Sequence, residues 1–298
     1  MRVDPFYVVN LSGALDQTQG TLQQLTNQVS SGLSFSSIGQ NPVAAAQNVQ
    51  LLNEIQTDDT FTQTSSLTHG MLQVADSALG NVVTQLNQVI SLATQGSSAT
   101  LTPANLQSIS NQISGIRDEV ISLANTSYQG QYLFGGSQTG SPPFTLNAGT
   151  SPASVTYSGD SVVNVLQSPN GQSIQLNLPG NQVFTSSTAS VLGALNSLVA
   201  DFASGTSNGG AADLASLNAA MGFLGQQRVT LDNSMTRLTS ASDSASSEAL
   251  QLTAVQTNLI QADIPGISTQ LSLTESQQTA LINVIAALGS GSLFNKLS

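Results

Sequence analysis

The sequence predicts a mainly α protein with a small β insert: a long, antiparallel, coiled-coil-like helical bundle built from both chain ends, with a β-rich outer domain in the middle of the chain. Three observations predict it. Apolar residues recur at alternating intervals of three and four in four separate segments. After Phe134 the interval falls to two. Gly, Pro and Asn cluster where one pattern gives way to the next. A mean interval of 3.5 lays a narrow seam along one side of a helix, whereas an interval of two places alternate residues on one face of a strand.

The first segment runs through Leu11, Leu15, Thr18, Leu22, Leu25 and Val29. It ends at SSGLSFSSIGQNP (30–42), a loop whose Pro42 can occupy the first turn of the next helix. Leu72, Ala75, Leu79, Val82, Leu86, Val89 and Ala93 repeat the rhythm, with a helix start expected beside His69. A turn at QGSSATLTP (95–103), with Thr102 or Asn105 as cap, leads to Leu106, Ile109, Ile113, Ile116, Val120 and Leu123. The stretch QYLFGGSQTGSPPF (131–144) reads as the hand-over from helix to β structure. Gly135 and Gly136 allow backbone angles that other residues avoid, Pro142 and Pro143 forbid further helix, Tyr132, Leu133 and Phe134 can seal the joint by burial, and Phe144 closes the stretch. SVTY (154–157), SVVNVL (161–166) and QSIQLNL (172–178) alternate as strands, the last two separated by an Asn-Gly turn. Helix resumes near Ser190 and breaks at GTSNGG (205–210). It continues through Met221, Leu224, Arg228, Leu231, Met235 and Leu238, where one Arg interrupts the stripe. SASDSASSEA (240–249) carries Ala on the side expected to be buried, and IPG (264–266) interrupts the terminal segment of Ile267, Leu271, Leu281, Ile285 and Leu288.

The organisation expected is an N-terminal assembly helix and loop (1–40), a first half of a helical rod (41–134), the β-rich outer domain (135–189), a second half of the rod (190–262) and a C-terminal assembly segment (263–298). The outer stripes (Leu11, Leu15, Leu22, Leu25 and Val29, then Leu231, Met235, Leu238, Ile267, Leu271, Leu281, Ile285 and Leu288) are the candidate assembly interface. A lone terminal helix with so thin a stripe does not recover the backbone entropy of its own ordering. Both ends are therefore expected to be frayed until they meet one another and neighbouring subunits.

Composition excludes much else. Charged residues make up 7% of the chain, its net charge is −11, and its five cations are spread from Arg2 to Lys296. Neither nucleic acid nor an anionic membrane surface finds a cationic cluster here. With no cysteine, disulfides and thiolate sites are impossible. No apolar run approaches a membrane span, and FYVVNL (6–11) is too short for the core of a secretory signal. The single histidine, His69, has neither metal-ligand spacing nor a nucleophile motif beside it. Asp58-Asp59 and Asp118-Glu119 read as solvated helix faces. Within 137–190 only Asp160 is charged, too little for a binding or catalytic β domain. No catalytic residue, cofactor or metal is expected, and the chain does not read as an enzyme.

Three stretches carry a resemblance. QLTNQVSSGLSFSSIGQNPVAAAQ (24–47), LGQQRVTLDNSMTRL (224–238) and QADIPGISTQLSLTESQQTALINVIAALGSGSLFNKL (261–297) resemble the two conserved ends of the flagellin superfamily of bacterial flagellar axial proteins. With VTYSGD and LPGNQVF, the 131–144 stretch resembles the hook–filament junction subunits of that superfamily more than its filament flagellins. The resemblance implies a non-enzymatic structural subunit, with terminal helices in the inner layers of a tube and the β insert outward. It implies partners: hook-associated protein 1 on the hook side, flagellin on the other, further copies of itself in a ring, and a cytosolic flagellar export chaperone. It implies an extracellular location in the flagellum, reached by flagellar type III export without a cleaved Sec signal. Filament flagellin is the alternative. The chain departs from the superfamily where Gly32-Leu33-Ser34 and Gln40-Asn41-Pro42 replace a Gly-Lys-Arg and an Asp-Asp-Pro, and where IPG replaces a region that relatives keep helical.

Overall fold

The computed structural model describes residues 5–98, 100–147, 149, 153–206 and 210–294. Seven helices and six short strands follow one another as α1 (Pro5–Ser31), α2 (Pro42–Gly96), α3 (Pro103–Ala124), β1 (Ser127–Tyr128), β2 (Gln131–Tyr132), β3 (Phe144–Asn147), β4 (Ser154–Tyr157), β5 (Val165–Gln167), β6 (Ser173–Gln175), α4 (Gly180–Val183), α5 (Val191–Ala203), α6 (Gly210–Ile260) and α7 (Ile264–Phe294). The helices of the two chain ends pair, and the small sheets lie in the middle of the chain, as the sequence predicts. The chain divides into two compact units, one of residues 1–57 and 247–298, the other of residues 58–246.

In the long helices of this Ser- and Thr-rich chain, hydroxyls turn back on the helix itself. Thr18, Thr26, Ser77, Thr94, Thr253 and Thr274 each donate to the carbonyl four residues earlier, at 2.7–2.8 Å. The hydroxyl is thereby satisfied without water or a charged partner.

In the terminal unit α1 packs against α7. Gly32, at φ +70°, stops α1 with its N–H on the Gln28 carbonyl at 2.9 Å. The next residues pair with the α6–α7 junction: Ser34 N donates to Ile260 O at 2.7 Å and Ala262 N to Gly32 O at 2.9 Å, closing a bridge between Leu33 and Gln261. Asn41 caps α2 through Oδ1, which accepts from Ala44 N at 3.1 Å, and Pro42 supplies the first helical residue. Gln40 folds back to accept from Ser36 N at 2.7 Å. These two amides thus organise the loop. The IPG sequence opens α7, with Pro265 in its first turn and Asp263 Oδ1 accepting from Gly266 N at 3.3 Å.

The core of the second unit is the stripe on α2. Leu72, Leu79, Val82, Leu86 and Val89 are all at most 1% exposed. From α6, Leu217, Leu224, Leu231 and Leu238 join the same core, and α3 packs on α5. Arg228, the residue that interrupts the α6 stripe, crosses to α2 and grips Asp76 with both arms, Nε to Oδ1 at 2.7 Å and Nη2 to Oδ2 at 2.9 Å. Arg117 is 5% exposed and bonds Asp118, Ser114 and, on α5, Asn196.

Several expectations are corrected. His69 does not stand beside a helix start: α2 runs unbroken through it, and Gly70 is there because the Tyr128 hydroxyl would lie 2.9 Å from any Cβ. Asp58 is 3% exposed, not on a solvated face, whereas Asp59, Asp118 and Glu119 are exposed. Its position explains this. Asp58, Phe61, Ser65 and Thr68 extend the α2 rhythm upstream of Leu72, and all four are buried. α3 ends at Ala124, with Asn125 as C-cap. A hairpin, β1–β2, turns there on Gln129 and Gly130 at φ 50° and 81°. SVVNVL is a strand only from Val165, and FTLN and GNQV form a strand and a helical turn that alternation did not reveal.

Because the Arg228–Asp76 pair is bidentate yet partly hydrated, its coupling should be modest. A double-mutant cycle of R228Q and D76N, followed by urea unfolding, should return about 0.5–1 kcal/mol.

Candidate assembly surface and the helix-to-β joint

The predicted stripe residues fall into two groups. On α1, Leu25 is buried at 6% exposure, Leu11, Leu15 and Leu22 are half-buried, and Val29 is exposed. On α7, Ile267, Leu271, Leu281 and Ile285 are half-buried, while Leu288 lies outside the residues whose side chains are described. These two sets belong to the terminal unit. Leu231 and Leu238 are instead buried, and Met235 half-buried, in the core of the second unit, where they serve this chain's own packing.

The terminal unit leaves much apolar surface uncovered. Beyond the stripes, Val43, Val49, Leu250, Val255 and Leu273 are each more than half exposed, the last at 60%. Isolated exposed apolar side chains are ordinary; these, together with the stripes, make the terminal unit the candidate contact surface. Between α1 and α7 lies an open cleft of about 540 Å³, edged by Ala14, Thr18, Thr21, Thr274, Ala280 and Leu281. The stripe reading missed Val43, Val49 and Leu250 because they stand off the 3.5 rhythm. Only the exposed face of the folded unit distinguishes them from core.

The joint at 131–144 is dense. Phe134, Gly135, Gly136, Pro143 and Phe144 are buried, Tyr132 is half-buried and Pro142 is exposed. Phe134 and Phe144 both meet Phe184 edge-on, with centroids 5.1 and 5.4 Å apart, and Phe144 lies 4.9 Å from Tyr157. A Cβ at Gly135 would overlap the Gln138 carbonyl, and one at Gly136, already at φ +71°, would overlap the Asp160 carboxylate. Both glycines are therefore close-approach residues as well as turn residues.

Polar side chains that the sequence reading passed over hold the joint. Asn125 mimics a strand: its Oδ1 accepts from Phe144 N at 2.9 Å and its Nδ2 donates to Phe144 O at 2.8 Å. Asn177, 7% exposed, accepts from Asn164 N at 2.7 Å and donates to Val162 O and Gly136 O. Tyr157 Oη donates to Phe134 O at 3.0 Å and Asp160 O at 2.7 Å, and burial pushes its phenol upward. Asp160 accepts from Ser137 N at 2.8 Å, from Val162 N at 3.0 Å and from the Ser137 hydroxyl. The Ser137 hydroxyl and N–H, then Val162 N–H, hold its carboxyl below the usual range. One signal could have flagged Asp160: it is the lone charge of the insert. The arrangement anchors hairpins to the end of α3.

Comparison with known proteins gives the class. Residues 8–139 match the bacterial flagellin N-terminal helical region. Over that region the chain is flagellin-like. Among curated proteins it is similar to flagellar hook-associated protein 3 of Salmonella typhimurium and of Escherichia coli. Each is 25% identical over 187 residues, which are 62% of this chain. The match spans 57% of the length of those relatives. The fold is shared with the flagellar junction protein FlgL from Legionella pneumophila (TM-score 0.58, 14% identity, 72% of this chain and 100% of that one). It is shared likewise with FlgL of Bacillus cereus (TM-score 0.56, 19% identity, 70% and 97%).

Asp160→Asn should weaken the joint, since it loses charge-assisted acceptance from Ser137 and Val162. Gly136→Ala should cost more, about 2–3 kcal/mol, through overlap and positive φ together. Hydrogen exchange over 131–178 reads both, and the effect of Asp160→Asn should diminish as the pH falls below about 3.8 through the lowered folded value of the carboxyl. A carboxylate whose folded pKa is lowered stabilises above its unfolded value and loses that contribution as it protonates.

Proposed function

We propose that this chain is a structural subunit of the bacterial flagellar axis that joins the hook to the filament. The observation that carries the proposal is the terminal unit: helices from opposite ends of the chain, paired, with half-buried stripes and uncovered apolar side chains around them. Similarity to hook-associated protein 3 supports the junction rather than the filament. On this reading segments 1–40 and 263–298 are the assembly segments. The faces of Leu11, Leu15, Leu22, Leu25 and Val29 and of Ile267, Leu271, Leu281 and Ile285 pack against further copies of the chain. The neighbours above and below are hook-associated protein 1 and flagellin. The hairpins on the 131–144 joint point away from the tube. The subunit travels by flagellar type III export, accompanied in the cytosol by a dedicated chaperone, and works outside the cell. Its function is mechanical: a coupling held by apolar contacts and amide hydrogen bonds, with no reaction to catalyse.

Removal of residues 269–298 should abolish swimming while leaving the second unit folded by circular dichroism; normal motility of that variant would overturn the proposal. Seeded polymerisation separates the junction subunit from a filament flagellin. The purified chain should add to hook-associated protein 1 assemblies and stop, and extended filaments of this chain alone would assign it to the filament instead.

A further inference from the structure

The hairpin of β5 and β6 has one guarded edge and one open edge. Ser168 N donates to Gln172 O at 2.9 Å and Leu176 N to Asn164 O at 2.8 Å, on either side of the Leu166–Ile174 pair. Residues of an antiparallel ladder alternate between bonding the partner strand and facing away from it. Asn164, Leu166 and Ser168 therefore turn their backbone groups toward β6, and Val163, Val165 and Gln167 turn theirs away. Ser173, opposite Gln167, faces outward on the far side, and its carbonyl accepts from Arg237 Nη2 of α6 at 2.8 Å. The β6 edge is thus guarded by α6. On the β5 edge, among the described residues, no hydrogen bond reaches the N–H or C=O of Val163, Val165 or Gln167.

That edge is laid out before any partner arrives. Asn177 accepts from Asn164 N and donates to Val162 O, which holds the backbone upstream of Val165 along its own hairpin. Val162, Val163 and Val165 are exposed, the last at 54%. Sequence does not guard the edge either. Native edges are commonly blunted by Lys, by Pro or by an inward charge. Here no ionisable side chain lies between Asp160 and Asp201, and no proline between 161 and 168.

We propose that the β5 edge pairs with the same edge of a second copy of this chain, antiparallel about a two-fold axis at Asn164. The side chains select that register. With Asn164 opposite its own copy, Val163 meets Val165 and Val162 meets Leu166, apolar against apolar and amide against amide. The neighbouring registers that keep the bonding alternation set Val163 against Gln167 or Val162 against Asn164 instead. Identical uncharged strands meet without repulsion, so the edge suits a copy of itself. Pairing uses the one open edge of each hairpin and closes at two copies. Two such short strands bury far less than the roughly 1,200 Å² of stable complexes, so the pair forms and breaks with concentration. A two-fold pair sets its copies in opposite directions. It is a contact of free copies, independent of the contacts by which an axial subunit assembles.

Hydrogen exchange of the full chain at low and high concentration tests the pairing. Concentration should slow the Val163 and Val165 amides severalfold and leave Leu166, whose N–H already faces β6, unchanged. Val165→Lys, which brings two cations to the shared edge, should remove the dependence while the Leu166 amide reports that the hairpin stays folded. The chain has no cysteine, so Asn164→Cys supplies one thiol, opposite its own copy at a non-hydrogen-bonded position where Cα atoms stand about 4.5 Å apart. Under oxidant it should cross-link two chains about tenfold faster than Gln167→Cys, whose thiols stand far out of register. Association through the terminal unit alone predicts equal cross-linking of the two variants and exchange at Val165 that ignores concentration. Either result would remove the β5 pairing and leave the proposed function standing.

Discussion

Everything else in this molecule depends on the buried seam along α2. From Asp58 to Ala93 one residue in every three or four is turned inward, and the face so formed is closed by α6 and, further along, by the packed helices α3 and α5. A protein with few charges has little electrostatic means of specifying which helix lies against which. Shape does it instead. Leucine and valine fill the seam where the helices must be held hardest, and alanine and serine let them approach where it narrows. The Arg228–Asp76 pair works within that frame. It joins residues 152 positions apart in sequence and fixes the register of α6 on α2, which an apolar stripe alone leaves free to slide by a heptad.

The same economy of charge appears at the joint. A long helix cannot turn into hairpins without leaving carbonyls and amides unpaired, and those groups are buried here. Asn125 and Asn177 supply the missing partners by imitating backbone, and Asp160 gathers the amides of Ser137 and Val162. Around them the cluster of Phe134, Phe144, Phe184 and Tyr157 excludes water, which strengthens each polar contact. The result is a small sheet assembly with little core of its own, anchored to the end of α3. A short insert can therefore vary in its exposed loops without weakening the helices that carry it.

The terminal unit follows the opposite rule. Its helices pair, yet their stripes remain half covered and further apolar side chains stand in the open. A core of this kind is incomplete by itself, which suits a segment whose final packing is supplied by neighbours. The bridge between Leu33 and Gln261 keeps the two ends in step meanwhile, tying the turn after α1 to the junction before α7 by backbone bonds alone.

Much of this was legible in the sequence, because helix periodicity is a local property: the rhythm from Leu72 to Ala93, the capping Thr102 and Ser190, the opening Pro42 and the alanines at 241, 245 and 249 all declare themselves within a few residues. The candidate interface was only partly legible. Leu231 and Leu238 carry the same stripe as Leu271 and Leu281, and a stripe does not say whether its partner lies in the same chain. Nor could periodicity read buried polar residues, so Asp58, Ser65 and Thr68 hid the upstream half of the α2 seam. Asn125, Asn177 and Asp160 acquire their roles only from residues 13 to 41 positions away. The sequence by itself determined where the helices run, because that depends on spacing along the chain. Tertiary structure decided which faces close upon one another and which stay open, because burial depends on what arrives from elsewhere in the chain.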